Sequence, residues 1–346
     1  MIRSDKKEPT MKDIALIVGV SQATVSYALN NSKSITKTVK KRILDVAKEI
    51  GYIPNAVARN LKKRRTNTIG IVVPDVMNSY YNEMIKHTEK IIREQGYFIF
   101  ICYTMHKPDI EDWYIVSLIQ QKVEGVIICY GLTNRECYKK LYKHNVPFVD
   151  IDDETDKAEG GAACVRVNHI KGSFLAVQHF ISLGIKDIAY CSEPLYNSAL
   201  RDRHEGFLRA IKEFGLTINN DMVYIANKEN DYEKINLGYI ATKEILSKSK
   251  PEGIFAATDQ IAFGVIKRLN EMRIKIPNDI AVIGYDNVPF SSVISPSLTT
   301  VSQSIRTMCI QGAGTLFKII KGDEDIENRI ILEPDIVIRE SAPSFD

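Results

Sequence analysis

Polar and aromatic side chains follow several short apolar runs in this 346-residue chain. Carboxylates accept hydrogen bonds from hydroxyl groups, and a pair of aromatic rings can provide an apolar plate for a sugar or a base ring. If the fold brings the ends of the runs together, these residues predict a polar pocket that binds a ring. The candidates are Asn78, Tyr80, Tyr81, Thr258, Asp259 and Asp286.

Some of these candidates also suit a structural role. Tyr81 fits the start of a helix that packs into a core, and Asp259 fits the cap of the helix predicted to begin there. Asp152, which ends another apolar run, has Asp150 and Asp153 as neighbours. Because side chains alternate along a strand, the register of these three carboxylates stays open.

The chain carries no catalytic signature. GxSxG, P-loop, HExxH and GxGxxG motifs are absent from the sequence, and the six histidines have no metal-binding spacing. The histidines are predicted to be surface or packing residues, and the Asp150–Asp153 cluster lacks a paired base. We therefore expect no catalysis, no metal and no cofactor.

Charge is distributed unevenly along the chain. Residues 1–65 contain 15 Lys and Arg against 5 Asp and Glu, whereas the other 281 residues contain 31 against 38. A small basic module joined to a large acidic one indicates a polyanion as partner of the first. A solvated basic tail is the alternative, and the periodicity of the segment argues against it.

The basic segment has the pattern of a helix-turn-helix. Thr10 and Asp13 form a capping box, and Ile14, Ile17 and Val18 predict the apolar face of a first helix. Gly19 ends this helix, and Ser21 caps a second one. A third predicted helix begins after Thr36 and closes a small core.

The second helix suits the major groove of DNA. Its first residues are small or able to form hydrogen bonds, as base readout requires, and nearby Lys and Arg could contact phosphates. The groove-facing residues are Ser21, Gln22, Ala23, Thr24 and Ser26. The phosphate-contacting candidates are Lys12, Lys37, Lys40, Lys41 and Arg42.

From residue 68 onward, short apolar runs alternate with amphipathic stretches. This alternation predicts parallel α/β sheets, and about 280 residues suggest two lobes facing a cleft. The predicted strands are 69–73, 98–102, 125–130, 147–151, 188–191, 223–226, 253–257 and 280–285. The predicted helices include 81–95, 170–183, 203–214, 236–248 and 259–272.

Nothing in the composition predicts a membrane or secreted protein. No apolar run reaches the roughly 18–20 residues of a membrane-spanning helix, and the first ten residues lack an apolar signal segment. The six cysteines are scattered, as expected for reduced thiols. We therefore expect a cytoplasmic protein.

The motifs ATVSYALN and GYIPNAVARNL resemble the headpiece and hinge helix of the lactose-repressor (LacI/GalR) family. RDRHEGF, ATDQIAFG and VIGYDNVPFSSVISPSLTTVSQ extend the resemblance almost to the C-terminus. It implies a homodimer whose paired hinge helices lie in the minor groove, where Leu61 would wedge between base pairs. Tyr27 departs from the usual Arg or Lys, so operator sequences cannot be transferred from relatives.

The resemblance also implies the domain plan and fold class. The plan is an all-α headpiece at 8–54, a hinge at 55–66 and a two-lobed α/β core at 67–346, similar to periplasmic binding proteins. The chain would cross between the lobes three times. The first lobe would comprise about 67–168 plus 300–330, and the second 169–299 plus 331–346.

Site residues follow from the resemblance position by position. The DNA-contacting set is Thr10, Ser21, Gln22, Ala23, Thr24, Ser26, Tyr27, Asn30, Asn55, Ala58 and Leu61. The effector-binding set is Asn78, Tyr80, Tyr81, Asp152, Arg203, Tyr232, Thr258, Asp259, Asp286 and Gln303. Arg203 matches the ligand-binding arginine, with Arg201 as the weaker candidate, and its guanidinium suits hydroxyls, an acid or a nucleobase.

These expectations describe a transcription regulator, most readily a repressor, that binds double-stranded operator DNA and a small effector, in first place a carbohydrate. There are three alternatives. The first is a regulator whose core responds to a phosphorylated carrier protein, the second is a solute-binding protein of a transporter, and the third is a sugar-modifying enzyme. The sequence leaves open whether the effector releases or promotes DNA binding.

Overall fold

The protein folds into two compact units, residues 1–66 and 67–346. The computed structural model describes residues 9–29, 35–53, 65–153, 163–227, 233–323 and 325–344. Most of the predicted hinge therefore lies outside the described residues, as do four predicted DNA-contacting residues and one predicted effector-binding residue. These five are Asn30, Asn55, Ala58, Leu61 and Tyr232.

The headpiece contains three helices, which are Met11–Val18 (α1), Gln22–Leu29 (α2) and Lys37–Glu49 (α3). A capping box begins α1: the Thr10 hydroxyl accepts from the Asp13 amide, and the Asp13 carboxylate accepts from the Thr10 amide at 2.8 Å. Gly19 ends α1 at φ 76°, a left-handed conformation that glycine adopts without strain. The tight turn to α2 depends on this residue.

The headpiece differs from the predicted one at one core position and at one helix cap. Its buried residues are Ile14, Ala15, Val18, Val25, Ala28, Ile43 and Ala47. The expected Ile17 is 53% exposed, because the buried face of α1 passes through Ala15 instead. Thr36 precedes α3 as predicted, but its side chain makes no capping hydrogen bond.

The larger unit contains two six-stranded sheets. All neighbouring strands of the first sheet are parallel. In spatial order they are Arg329–Leu332 (β11), Ala163–Val167 (β5), Phe148–Ile151 (β4), Gly125–Cys129 (β3), Thr68–Val73 (β1) and Phe98–Tyr103 (β2). Parallel strands need helical crossovers, which explains the alternating pattern of the sequence.

The second sheet is parallel except at one edge, where β12 runs antiparallel to β10. In spatial order its strands are Asp335–Val337 (β12), Thr299–Ser302 (β10), Ala281–Asp286 (β9), Gly253–Ala256 (β8), Ile188–Ser192 (β6) and Val223–Ile225 (β7). The two sheets define the two lobes.

Helices cover the faces of each sheet. Those of the first lobe are Ser79–Glu94 (α4), Pro108–Gln120 (α5), Glu136–Lys143 (α6) and Ile305–Lys321 (α11). Those of the second lobe are His169–Ser182 (α7), Ser198–Glu213 (α8), Lys234–Lys248 (α9) and Asp259–Glu271 (α10). In the described part of the chain, no helix has the length and apolarity needed to cross a membrane.

The eight predicted strands all form, each within one residue of its predicted ends. The structure adds β5, β10, β11 and β12, which are short or carry polar residues. Of the predicted helices, α8 differs most: it begins at Ser198, five residues before the predicted start, because Asn197 caps it by accepting from the Leu200 amide.

The chain passes between the lobes three times, between β5 and α7, between β10 and α11, and between β11 and β12. Because Thr299–Ser302 pairs within the second sheet, the chain returns to the first lobe after Ser302. It leaves again after Leu332. Both limits fall two to three residues later than the predicted ones near 300 and 330.

Candidate functional site

A buried polar network joins the two lobes at the carboxyl ends of their strands. Asp152 follows β4 of the first lobe, and its carboxylate accepts from the Tyr80 hydroxyl at 2.6 Å. The other oxygen of Asp152 lies 2.7 Å from Nε2 of His169, the first residue of α7 in the second lobe. All three side chains are at least 98% buried. The network therefore connects the lobes where water is excluded.

Arg203 lies at the centre of this network. Its Nη1 donates to the Ala257 carbonyl at 2.8 Å and to Asp286 Oδ1 at 3.2 Å. Its guanidinium carbon lies 4.0 Å from the ring centroid of Tyr285, a distance typical of a cation–π contact. Asp152 Oδ2 lies 3.9 Å from Nη2, so two carboxylates flank one guanidinium.

The contacts of His169 define its tautomer. Nε of Arg203 can only donate, and it lies 3.4 Å from Nδ1 of His169, so Nδ1 must accept. The Tyr285 hydroxyl, 3.0 Å from Nδ1, then donates as well. The proton of the neutral ring is therefore on Nε2, which donates it to Asp152. Burial lowers the pKa of His169, and Arg203 lowers it further, while Asp152 partly opposes them.

Gln303 links the network to Asp286. Its side-chain oxygen lies 3.1 Å from the Tyr80 hydroxyl, and its amide nitrogen donates to Asp286 Oδ1. Asp286 has φ 119° and Asp152 has φ 67°, both in the left-handed region that such residues rarely occupy. Strain of this kind concentrates where a binding site fixes its side chains.

The two carboxylates that flank Arg203 differ in protonation. Burial raises the pKa of Asp152, but His169 and Arg203 outweigh it, and the pKa lies below its ordinary value. For Asp286, burial and the neighbouring Asp259 outweigh Arg203 and raise the pKa to about 8. The surroundings therefore favour the ionised form of Asp152 and the protonated form of Asp286. Both described donors to Asp286 approach its Oδ1.

Three tyrosine rings of the first lobe pack together beside the polar network. Tyr80, Tyr81 and Tyr130 contact one another edge to face, with ring centroids 5.3–6.2 Å apart. Tyr81 is only 1% exposed and belongs to the core of the first lobe. This agrees with the alternative prediction that Tyr81 lies at the start of a helix packed into a core. Tyr80 alone of the predicted aromatic pair reaches the polar network with its hydroxyl.

A second polar cluster follows β6. Glu193 pairs with Lys234 at 2.9 Å and accepts from the Tyr196 hydroxyl at 3.0 Å. That hydroxyl also lies 3.3 Å from Nε2 of His106, which belongs to the first lobe. Burial raises the pKa of Glu193, but Lys234 and Tyr196 outweigh it, so the pKa lies below its ordinary value. This cluster is a second polar contact between the lobes.

Several buried polar atoms of the second lobe have no hydrogen-bond partner among the described residues, and two of them belong to helix α8 and its cap beside the network. These two are Nη2 of Arg203 and Nδ2 of Asn197, which caps α8. The two residues are 1% and 6% exposed. Buried donors without a partner are costly, and they are expected where a ligand supplies the acceptor.

Three predicted effector residues make hydrogen bonds within the fold. Asn78 caps α4 by accepting from the Tyr80 amide at 3.0 Å, and Thr258 caps α10. The Asp259 carboxylate accepts from the Val288 amide and from the hydroxyls of Ser291 and Thr300, all in the second lobe. The structure therefore does not bring the Asp259 side chain into the network.

The register of the Asp150–Asp153 cluster is resolved. Asp150 accepts from the Tyr138 hydroxyl at 3.0 Å inside the first lobe. Asp153 accepts from Ser198 across the cleft and lies 3.6 Å from Arg135. Of the three carboxylates, only Asp152 joins the network around Arg203, and it is the one that the predicted effector-binding set contains. No cluster suited to a metal ion occurs within the described residues.

The outer face of α2 presents the predicted DNA-contacting side chains. Ser21, Gln22, Ala23 and Tyr27 are exposed, and Thr24 and Ser26 are partly exposed. The Ser21 hydroxyl accepts from the Thr24 amide at 3.1 Å and lies 2.8 Å from its hydroxyl, so this pair also shapes the start of α2. Tyr27, 54% exposed, lies one turn further along.

Sequence comparison supports both units. A model of the lacI family of bacterial regulatory proteins matches residues 10–55, and a periplasmic-binding-protein-like domain matches 177–342. The HTH-type transcriptional repressor PurR of Actinobacillus pleuropneumoniae is 32% identical, and the match covers 97% of this chain and 99% of that one. The chain belongs to the LacI family of bacterial regulatory proteins.

Structural comparison agrees with this assignment. The lac repressor dimer bound to operator and an anti-inducer has a TM-score of 0.85 at 22% identity, covering 97% of this chain and all of the other, which shows the fold. A LacI-family regulator from Enterococcus faecium with bound ribose has a TM-score of 0.70 at 28% identity, covering 81% and 100%. This LacI-family chain is thus a DNA-binding regulator with a two-lobed core.

Sequence reasoning missed several residues of the network. His169 was expected to be a surface or packing residue, yet it bridges the lobes. A lone histidine carries no spacing signal, but its place immediately after β5 is the position of a strand-end residue, and β5 itself was not predicted. Tyr130 is the last residue of the predicted strand 125–130, and Glu193 comes directly after β6. The strand-end argument applied to these two would have found them.

Proposed function

We propose that this LacI-family regulator represses transcription as a homodimer on a two-fold symmetric operator and that a small hydroxylated effector, a sugar or sugar derivative, controls it. The observation that carries the proposal is the buried network of Asp152, His169, Arg203 and Asp286 between the lobes. A molecule held there contacts both lobes and so biases their relative position.

The similar proteins support a sugar-type effector. The Enterococcus faecium regulator has bound ribose, and another structure of this fold is a CelR–cellobiose complex at 24% identity with a TM-score of 0.72. Paired carboxylates and a guanidinium beside tyrosine rings suit hydroxyl recognition in this chain. The repressor role is supported by the name of the PurR relatives.

The DNA side of the proposal rests on α2. Its exposed residues would read base edges in the major groove, while Lys12, Lys37, Lys41 and Arg42, all exposed, would contact phosphates. Tyr27 would contact a phosphate or a thymine methyl group. The roles of Asn55, Ala58 and Leu61 in the minor groove stay predictions, because these residues lie outside the described ranges.

An exposed apolar edge supports dimerisation. Strand β2 ends the first sheet, and its Phe98, Phe100 and Ile101 are 72%, 45% and 46% exposed. An unprotected apolar edge strand favours association with another chain. A second copy of this chain would bury these side chains. We expect the F100K variant to sediment as a monomer and the wild type as a dimer, which would support the assignment of the β2 edge to the dimer interface.

The function is tested by selecting duplexes that the full-length chain binds and then titrating the best one with and without candidate sugars. We expect a symmetric site and a change of affinity by about 5- to 150-fold, the usual range for allosteric coupling. Absence of any preference over random DNA would contradict the proposal. The headpiece match argues against a transporter's solute-binding protein, and a phosphorylated carrier protein as partner has no support from these comparisons.

A further inference from the structure

The buried cations of the cleft are already compensated by carboxylates. Arg203 lies between Asp286 at 3.2 Å and Asp152 at 3.9 Å, and Lys234 pairs with Glu193 at 2.9 Å. Arg203 and Lys234 are 1% and 15% exposed in their side chains, so solvent screens these pairs weakly. Among these described cations, a further negative group would thus find none without a carboxylate partner.

The first lobe adds negative charge to the same cleft. Asp153 is buried and accepts from Ser198 across the cleft, and its cationic neighbour, Arg135, is 38% exposed at 3.6 Å. In the described part of the cleft, each of the cations Arg135, Arg203 and Lys234 therefore lies beside at least one carboxylate. No cation among them is left for an anionic ligand alone.

Among the described buried atoms without a hydrogen-bond partner, two that can donate to a ligand are an uncharged amide and the edge of an arginine. Nδ2 of Asn197 carries no charge, and Nη2 of Arg203 belongs to a guanidinium that two carboxylates already flank. Both can donate to a hydroxyl, a ring oxygen or a carbonyl oxygen. A carboxylate or phosphate placed on Nη2 would also lie close to Asp152, and like charges at such distances in a buried site repel strongly.

We propose that the cleft selects an uncharged polyhydroxylated ligand and rejects its carboxylated and phosphorylated derivatives. This inference rests on the proposed function, since it specifies the effector class of the same site. The proposal places simple sugars and nucleosides among the ligands that the cleft selects, and sugar acids, sugar phosphates and nucleotides among those that it rejects.

The test is calorimetric binding of matched compounds to the full-length chain at pH 7. The series are D-glucose, D-glucuronate and D-glucose 6-phosphate; D-galactose, D-galacturonate and D-galactose 6-phosphate; D-ribose and D-ribose 5-phosphate; and adenosine and AMP. In each series that binds, we expect the neutral member to have a Kd at least tenfold below that of its anionic partners. An anionic member that binds equally well or better would overturn the inference, and so would a panel in which no neutral member binds.

A pair of variants tests the physical cause. D152N removes the ionised carboxylate beside Arg203, so the ratio of anionic to neutral Kd should fall at least fivefold. D221N is the matched control, because Asp221 is exposed in the 3₁₀ helix 220–222, and its ratio should equal that of the wild type. An unchanged ratio in D152N would contradict the cause. If D152N fails to fold, the wild-type series alone decide.

The outcome is distinguishable from a failure of the proposed function, because calorimetry involves no DNA. A chain that binds neutral sugars and no operator would refute the regulatory function and leave the ligand class standing. A chain that binds an operator and responds to a sugar phosphate would refute the ligand class alone.

Discussion

At the scale of single residues, the cleft is organised by where protons lie. Because Arg203 Nε can only donate, His169 must accept at Nδ1 and carry its proton at Nε2, which orients it toward Asp152. Burial and the neighbouring Asp259 raise the pKa of Asp286, whereas His169 and Arg203 hold the pKa of Asp152 below its ordinary value. Two carboxylates of the same type therefore differ in their surroundings and in how readily each ionises.

Removing the guanidinium should abolish the effector response. R203A leaves the Asp152 and Asp286 carboxylates without their shared cation, so we expect the effector Kd to rise by about 100-fold, equivalent to about 3 kcal/mol. Operator affinity without effector should stay within about threefold, because this residue lies outside the headpiece. Calorimetry measures the first effect and fluorescence anisotropy the second.

R201A is the matched control for this variant. Arg201 lies two residues away in α8, is exposed, and contacts only the Leu195 carbonyl, at 3.4 Å, among its described hydrogen bonds. Its effector affinity should match that of the wild type. An R203A chain that binds effector as tightly as R201A would contradict the central role of Arg203.

The raised pKa of Asp286 predicts how stability depends on pH. The folded state holds a proton up to about pH 8 that the unfolded state has lost above its ordinary pKa near 4, so stability falls as pH rises toward 8. Between pH 6.5 and 8.5, urea unfolding should show a loss of about 1–2 kcal/mol in the wild type that is absent in D286N.

The chosen window separates Asp286 from its neighbours. Asp259, with a pKa raised to about 6, and His169, with a lowered pKa, both titrate mainly below it. D221N should follow the wild-type curve. Parallel curves for D286N and wild type would show that Asp286 is already ionised at neutral pH.

At the scale of helices and strands, the site depends on how closely α7 approaches β9. A Cβ added at Gly172 would lie 2.3 Å from the Tyr285 hydroxyl oxygen, the atom that donates to His169. Only glycine allows the helix to come this near. Helix caps at the strand ends also position residues of the site. Asn78 begins the helix that carries Tyr80, Thr258 begins the helix of Asp259, and Asn197 begins the helix of Arg203.

G172A should therefore displace Tyr285 and destabilise the core by about 1–3 kcal/mol, the usual cost of overpacking. G314A is the control: Gly314 lies in α11 with no atom within 4 Å of an added Cβ, and alanine there should be neutral or stabilising by up to about 1 kcal/mol. Thermal unfolding measures both. Equal melting temperatures for the two variants would contradict the close-packing argument.

Most strands and helices could be predicted from the sequence, and the strands that were missed have a physical cause. Strands buried on both faces read as apolar runs, so eight strands were predicted within one residue, whereas β5 and β10–β12 are short or polar and were missed. Asp152, Arg203, Asp286, Gln303 and Tyr80 were predicted from strand ends and resemblance, and they meet. Asn78, Thr258 and Asp259 make hydrogen bonds to backbone amides or hydroxyls of the fold, a use that residue type alone does not reveal, and their part in effector binding stays a prediction.

At the scale of the whole molecule, a basic headpiece and an acidic core share one chain. Residues 1–65 carry 15 basic against 5 acidic residues, which is the charge a DNA-binding module needs. The core would respond to its effector through contacts between the lobes, which include Asp152 with His169, Arg166 with Asp202 and His106 with Tyr196. Ligand binding and operator binding would then be coupled through the position of the lobes.

Operator binding should depend steeply on salt, since each phosphate neutralised by Lys or Arg releases counterions. With several contacts per headpiece, affinity should fall at least about 100-fold between 50 and 200 mM salt. K41A should reduce the slope of log affinity against log salt, whereas K86A, in α4 of the core, should leave it unchanged. A flat dependence for the wild type would be inconsistent with a phosphate-binding headpiece.

The most direct test of the account is one anisotropy titration of a selected operator with the full-length chain, repeated with a saturating neutral ligand and with R203A. The account predicts tighter binding to the operator than to a scrambled duplex, a 5- to 150-fold shift on adding the ligand, and no shift in R203A. Operator affinity that is identical with and without every ligand that the cleft binds would contradict it.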